Sequence, residues 1–134
     1  MNKFARILVP TDMSDSAEAA LRYALFLNKT LGSRLTLLYA ERMLLYPERP
    51  VGFYFESAAD ARRDAAKRLR DYAREKTPRA AHVETTVIDD SPANAIPETA
   101  DRLGADLIVM GVKHGALIQH VRRTTARPVV SIAR

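Results

Sequence analysis

The sequence predicts an α/β domain built on a doubly wound parallel sheet, and three observations predict it. Short, nearly continuous apolar runs rich in β-branched residues recur along the chain, the pattern of strands buried on both faces. Longer segments with apolar residues at helical spacing lie between them. Gly, Pro, Ser or Asp marks each change of pattern. Strands alternating with helices imply a parallel sheet. Two doubly wound strand orders satisfy it, 3-2-1-4-5 and the flavodoxin-like 2-1-3-4-5. Either places a ligand beyond the carboxyl ends of the strands, where the order reverses.

Residues 5–9 (Ala-Arg-Ile-Leu-Val) read as the first strand, ended by Pro10. The stretch Thr11-Asp12-Met13-Ser14-Asp15-Ser16 is dense in helix-capping residues, and Asp15 with Glu18 has capping-box spacing. Ala17, Ala20, Leu21, Ala24, Leu25 and Leu31 then mark the inner face of a helix that Gly32 stops. Residues 35–40 form the second strand. Residues 41–56 carry Pro47, Pro50 and the cluster Phe53-Tyr54-Phe55, and read as a loop long enough to serve function or a partner surface. Ser57 caps a second helix running to about Lys76, with Ala61, Ala65, Leu69, Tyr72 and Ala73 inward and Asp64–Arg68 as an outer i,i+4 pair. Residues 83–88 alternate and form a third, less buried strand. Ser91-Pro92 reads as a cap with Pro at the first helical position. Asn94 is the alternative cap, because it moves Pro97 into the first turn, where a missing N–H costs little. In both cases Ile96, Ala100 and Leu103 face inward and Gly104 ends the helix. Residues 106–110 give the fourth strand, Gly111 and Gly115 bound a turn, 117–125 form a short helix, and 128–133 the fifth strand.

The chain of 134 residues is expected to form one domain, residues 1–134. Its 47% apolar and 28% charged residues exclude disorder. No apolar run approaches the ~18 residues of a membrane span, and the first residues lack the apolar stretch of a signal peptide, so cytoplasmic residence is expected. The absence of cysteine excludes disulfides, thiolate metal sites and cysteine nucleophiles. The net charge of +5 permits binding to phosphates or nucleic acid. The charge sits largely on one element, however. Between Asp60 and Arg79 there are eight basic and four acidic residues, a net of +4, which reads as a solvated helix face. No base-reading motif accompanies it, so nucleic acid is not an expected partner. His82 and His120 lack metal-ligand spacing, and no metal site is expected. A phospho-accepting receiver domain would need an acidic pair after the first strand and a lysine after the fifth; here Asp12 stands alone and Lys113 follows the fourth. A P-loop is absent.

Several segments together resemble the universal stress protein family. They are Ile7-Leu8-Val9-Pro10-Thr11-Asp12-Met13-Ser14-Asp15-Ser16, the helix beginning Ala17-Glu18-Ala19-Ala20, the stretch Gly104-Ala105-Asp106-Leu107-Ile108-Val109-Met110-Gly111, and the final Pro128-Val129-Val130. The resemblance covers almost the whole chain. It implies the order 3-2-1-4-5 with helices on both faces, a Rossmann-like architecture of the adenine nucleotide alpha hydrolase-like kind. It also implies a small cytoplasmic, usually dimeric protein of stress response or regulation. Some members bind ATP and others do not. In those that do, the Asp after the first strand contacts adenosine, the end of the second strand lines the adenine pocket, and a glycine pattern after the fourth strand holds ribose and phosphates. The matching positions here are Asp12, Ala40 and Gly111, with Pro10, Thr11, Met110, Val112, Lys113, His114 and Gly115 beside them. The chemistry of such a site is that glycines let main-chain N–H groups approach phosphate oxygens and a helix N-terminus favours the anion.

The glycine pattern then departs from the family's. Three residues, not two, separate Gly111 from Gly115, and no glycine follows. Only 12 residues separate Gly115 from Pro128, and they must supply a helix. The expectation is a non-catalytic protein with a reduced or absent triphosphate site. The alternatives are an ATP- or AMP-binding protein that uses Asp12 and the turn from Gly111 to Gly115, with Lys113 and His114 as substitute phosphate contacts, and a weak nucleotide hydrolase using Asp12 with His114. Asp89-Asp90 replaces a frequent family glycine and adds negative charge near the expected cleft. Asp12 reads either as a ligand contact or as the first helix's cap, and Gly111 as a structural residue at a buried strand's exit. The last strand has nothing after it to cover its edge. Val129, Val130, Ser131 and Ile132 are therefore expected to pair with a second copy about a two-fold axis.

Overall fold

In the computed structural model, which describes residues 4–43, 57–113 and 115–133, five parallel strands form one sheet in the order β3-β2-β1-β4-β5. The elements are β1 (Arg6–Pro10), α1 (Asp15–Leu31), β2 (Arg34–Ala40), α2 (Ala58–Lys76), a short 3-10 helix (Arg79–Ala81), β3 (Glu84–Ile88), α3 (Pro92–Leu103), β4 (Leu107–Gly111), α4 (Gly115–Thr124) and β5 (Val129–Ile132). Of the two candidate orders, the sheet adopts 3-2-1-4-5. Central β1 pairs Ile7 with Leu35 of β2 on one side and with Leu107 of β4 on the other.

The pleat sends alternate residues to opposite faces. Ile7, Val9, Leu35, Leu37, Leu107 and Val109 meet Leu21 and Ala24 of α1 and Leu69 and Tyr72 of α2. Leu8, Leu38, Ile108 and Met110 meet Ala95 and Ile96 of α3 and Ile118 and Val121 of α4. Both faces are thus covered, which is why these strands read as apolar runs and not as alternating ones.

The helix ends decide between the capping residues the sequence offers. Ser14, not Asp15, caps α1: its backbone is extended and its Oγ accepts from the Ala17 N–H at 3.3 Å. Leu31 is exposed, and Leu27 fills the last inward position. Ser91 caps α3, its Oγ accepting from the Asn94 N–H at 3.3 Å, so Pro92 takes the first helical position and Pro97 lies inside the helix. Pro97 removes one intrahelical bond there, but its ring is buried. Strand and helix limits shift by a residue or two from the expected ones. α1 and α4 each begin two residues before the expected position, at Asp15 and Gly115. Of the expected loop over 41–56, residues 44–56, with the Phe53-Tyr54-Phe55 cluster, lie outside the described residues, as do His114 and Arg134.

Candidate functional site

The chain leaves β1 toward β2 on one side, and returns from β3 through α3 to β4 on the other. This reversal opens a cleft of about 450 Å³ at the carboxyl ends of β1 and β4. One wall is apolar: Leu38 and Ala40 from β2, Pro92 and Ile96 from α3, Met110 from β4 and Leu117 from α4. The polar lining is Thr11, Asp12, Ser14, Ser16, Glu41 and Arg42. Apolar side chains beside hydroxyls and carboxylates suit a ligand with an apolar ring and a polar, hydroxyl-bearing part.

The segment after β1 is built by its own side chains. The Met13 N–H donates to Thr11 Oγ1 at 2.9 Å, and the Ser14 N–H donates to Asp12 Oδ1 at 3.0 Å. These two i,i+2 bonds hold Met13 at φ +63, a left-handed conformation uncommon for a side-chain-bearing residue. The Thr11 N–H is fixed to the Leu38 carbonyl at 2.8 Å. Asp12 therefore shapes the turn and lines the cleft, while Ser14 does the capping.

The exit from β4 is tight. A Cβ on Gly111 would stand 2.4 Å from both the carbonyl oxygen and the Oγ of Ser16, so α1 comes closer to β4 than any side chain at 111 allows. The next two main-chain amides are already engaged. The Val112 N–H donates to the Ile132 carbonyl at 3.3 Å, and the Lys113 N–H donates to Ser16 Oγ at 3.2 Å. Open space surrounds the Cβ position at Gly115, the first residue of α4.

Of the expected site residues, Pro10, Thr11, Asp12, Ala40, Met110 and Gly111 line the cleft. Val112 and Lys113 border an adjoining depression with Ser14, Asp15 and Ser16, and Gly115 lines neither. His114 lies outside the described residues. Tyr39, Glu41, Arg42, Ile96 and Leu117 also line the cleft, and no sequence motif pointed to them.

Asp89 and Asp90 fasten the chain leaving β2 to the β3–α3 connection. Asp89 Oδ1 accepts from the Met43 N–H at 2.9 Å, and its other oxygen lies 3.9 Å from Arg62. Asp90 Oδ1 accepts from the Ser91 N–H at 2.7 Å and lies 3.5 Å from Arg42. On the cleft's rim the Tyr39 hydroxyl donates to Glu41 Oε2, and Arg68 of α2 stands over its ring, 5.7 Å from the centroid. Burial, then the bond to Glu41, pushes the Tyr39 phenol up to about 12. Among the described residues no cluster of three His, Asp or Glu could hold a metal ion, and no helix is long and apolar enough to cross a membrane.

The chain matches the universal stress protein family over residues 3–134. A universal stress protein of Methanocaldococcus jannaschii is 27% identical over 114 residues, covering 82% of this chain; the chain spans 65% of that relative's length. A universal stress family protein from Burkholderia pseudomallei is 26% identical, with a TM-score of 0.72 and 98% of each chain covered. The universal stress protein of Archaeoglobus fulgidus in complex with dAMP is 20% identical, with a TM-score of 0.67, covering 98% of this chain and 99% of its own.

Proposed function

The chain belongs to the universal stress protein family, and from that premise we propose that it is a cytoplasmic, non-catalytic regulatory protein that takes the adenosine part of an adenine nucleotide into the cleft and grips polyphosphate weakly or not at all. The observation that carries the reading is the prior engagement of the Val112 and Lys113 amides. Main-chain N–H groups at this turn would cradle phosphates only if they were available, and because α4 begins at Gly115 the amides left beyond them are those of its own first turn, enough for one phosphate group but not for a wrapped chain of them. The apolar wall around Ala40 and Ile96 and the Asp12 carboxylate remain suited to a base and a ribose. The dAMP bound by the Archaeoglobus relative is a ligand of this reduced kind, with a single phosphate.

Isothermal titration with adenosine, AMP and ATP tests the reading. Adenosine and AMP are expected to bind within about tenfold of each other, a difference of about 1.4 kcal/mol or less, with ATP no tighter than AMP. Asp12→Asn, which keeps an oxygen for the Ser14 amide, is expected to weaken all three. ATP binding more than tenfold tighter than AMP would overturn the reading, and phosphate release with magnesium would make the protein an enzyme. A second reading has one observation in its favour. Lys113 borders the depression beside the cleft, where its ammonium could meet the phosphate of AMP; Lys113→Ala would then weaken AMP and leave adenosine unchanged.

A further inference from the structure

The basic segment noted in the sequence is partly neutralised in the fold. Arg63 pairs with Asp60, Arg68 with Asp64, Lys67 with Asp71, Lys76 with Glu18 and Arg62 with Asp89. Arg74 reaches only an Asp71 oxygen at 4.0 Å, on the carboxylate already held by Lys67. Arg70 and Arg79 make no ion pair among the described residues. Arg70, Arg74 and Arg79 all line one groove, between the end of α2 and the first residues of β3, where the cavity is about 690 Å³. His82 lines the same groove, and Glu84 is the one carboxylate among the described residues that line it.

The helix dipole favours cations in a last turn, which accounts for Arg74. It does not account for Arg70, which precedes that turn, or for Arg79, which follows the helix. Arg70 and Arg74 are also like charges at i,i+4 on one helix face, a spacing that disfavours the helix unless an anion lies between them. Guanidinium forks match phosphate oxygens bidentately. Among the described residues no Phe, Tyr or Trp lines the groove, so it lacks the large aromatic platforms on which successive nucleobases usually stack.

We propose that this groove binds a linear inorganic polyphosphate chain, held through its phosphates by Arg70, Arg74 and Arg79. The site is independent of the cleft at the other end of the sheet. The test is a titration of the intact protein with fluorescently labelled polyphosphate of defined length at several salt concentrations. Saturable binding is expected, and the Arg70→Ala, Arg74→Ala, Arg79→Ala triple variant is expected to lose at least tenfold in affinity. Its log K against log salt slope should flatten by about three, one for each lost contact. Arg79→Ala alone, outside the helix, should flatten it by about one. A control triple variant at Arg22, Arg102 and Arg123, exposed cations elsewhere, should bind as the parent does. Equal loss in the control would overturn the proposal as charge attraction without a site, as would absence of binding at low salt. Tighter binding of a polyuridine strand with the same number of phosphates would overturn it in favour of nucleic acid.

Discussion

Gly111 and Gly115 bound the same turn, yet packing requires only one of them. A methyl group at 111 would collide with the backbone and hydroxyl of Ser16, whereas one at 115 would meet nothing among the described residues. Gly111→Ala is expected to destabilise the fold by about 1–3 kcal/mol, since the close approach of β4 and α1 must open. Gly115→Ala is expected to be neutral or to stabilise by up to about 1 kcal/mol. Urea denaturation of the two variants checks the contrast, and equal costs would contradict this account of Gly111. The sequence reading of Gly111 as structural rested on its position at a buried strand's exit. Its neighbour Ser16 gave no sign in sequence, because the contact joins residues 95 positions apart and depends on how closely α1 lies on the sheet.

At the scale of elements, strands and helices were legible because the buried sheet leaves a one-dimensional trace: apolar runs at β1, β2 and β4, and helical stripes between them. The inner stripe of α2 was read residue for residue. Caps were harder. Ser14, Asp15 and Ser16 are all capping residues, and only the backbone's departure from helical geometry selects among them. The join between β2 and α2 at the cleft's rim was not legible at all, since it pairs Tyr39 with Arg68 across the layer. That join has a pH signature. The folded Tyr39 phenol, raised to about 12 from an ordinary value of 10.0, stays protonated where the unfolded one ionises. Its contribution to stability is therefore complete below about pH 10 and is lost as pH rises from there through about 12. Tyr39→Phe should flatten the fall in thermal midpoint across that window, and an unchanged pH profile would count against the burial and Glu41 bond as its causes.

At the scale of the whole molecule, both edges of the sheet matter. β5 pairs with β4 on one side only. The carbonyls of Pro128 and Ile132 accept bonds from the β4 side, so by alternation Val129 and Ser131 turn their N–H and C=O groups outward. Beside this edge α1, which packs on β4 and β5, exposes Tyr23 and Phe26, the latter at 58%. We propose that a homodimer forms by pairing of residues 129–132 across this edge. Sedimentation at micromolar concentration should give a species near twice 15.0 kDa. Ser131→Pro, which deletes an outward N–H without touching the β4 ladder, should shift it to the single-chain mass. A single-chain mass for the parent protein would remove the edge-pairing argument. Strand order itself was open in the sequence between two arrangements, and periodicity could not decide it, because helix crossovers of similar length serve both. The family resemblance selected the order that the sheet adopts.

The central strand joins partners of very different age in the growing chain. β1 can align with β2 after some forty residues, but its other flank waits for Leu107 and Ile108. Such distant pairing is slow to find. Asp12 and Ala40 belong to the early part and Met110 and Gly111 to the late part, so a half-synthesised polypeptide has no place for a ligand. Occupancy of the crevice consequently reports completed folding, and a small molecule bound there acts on finished protein alone, selecting against states in which the second half has come loose.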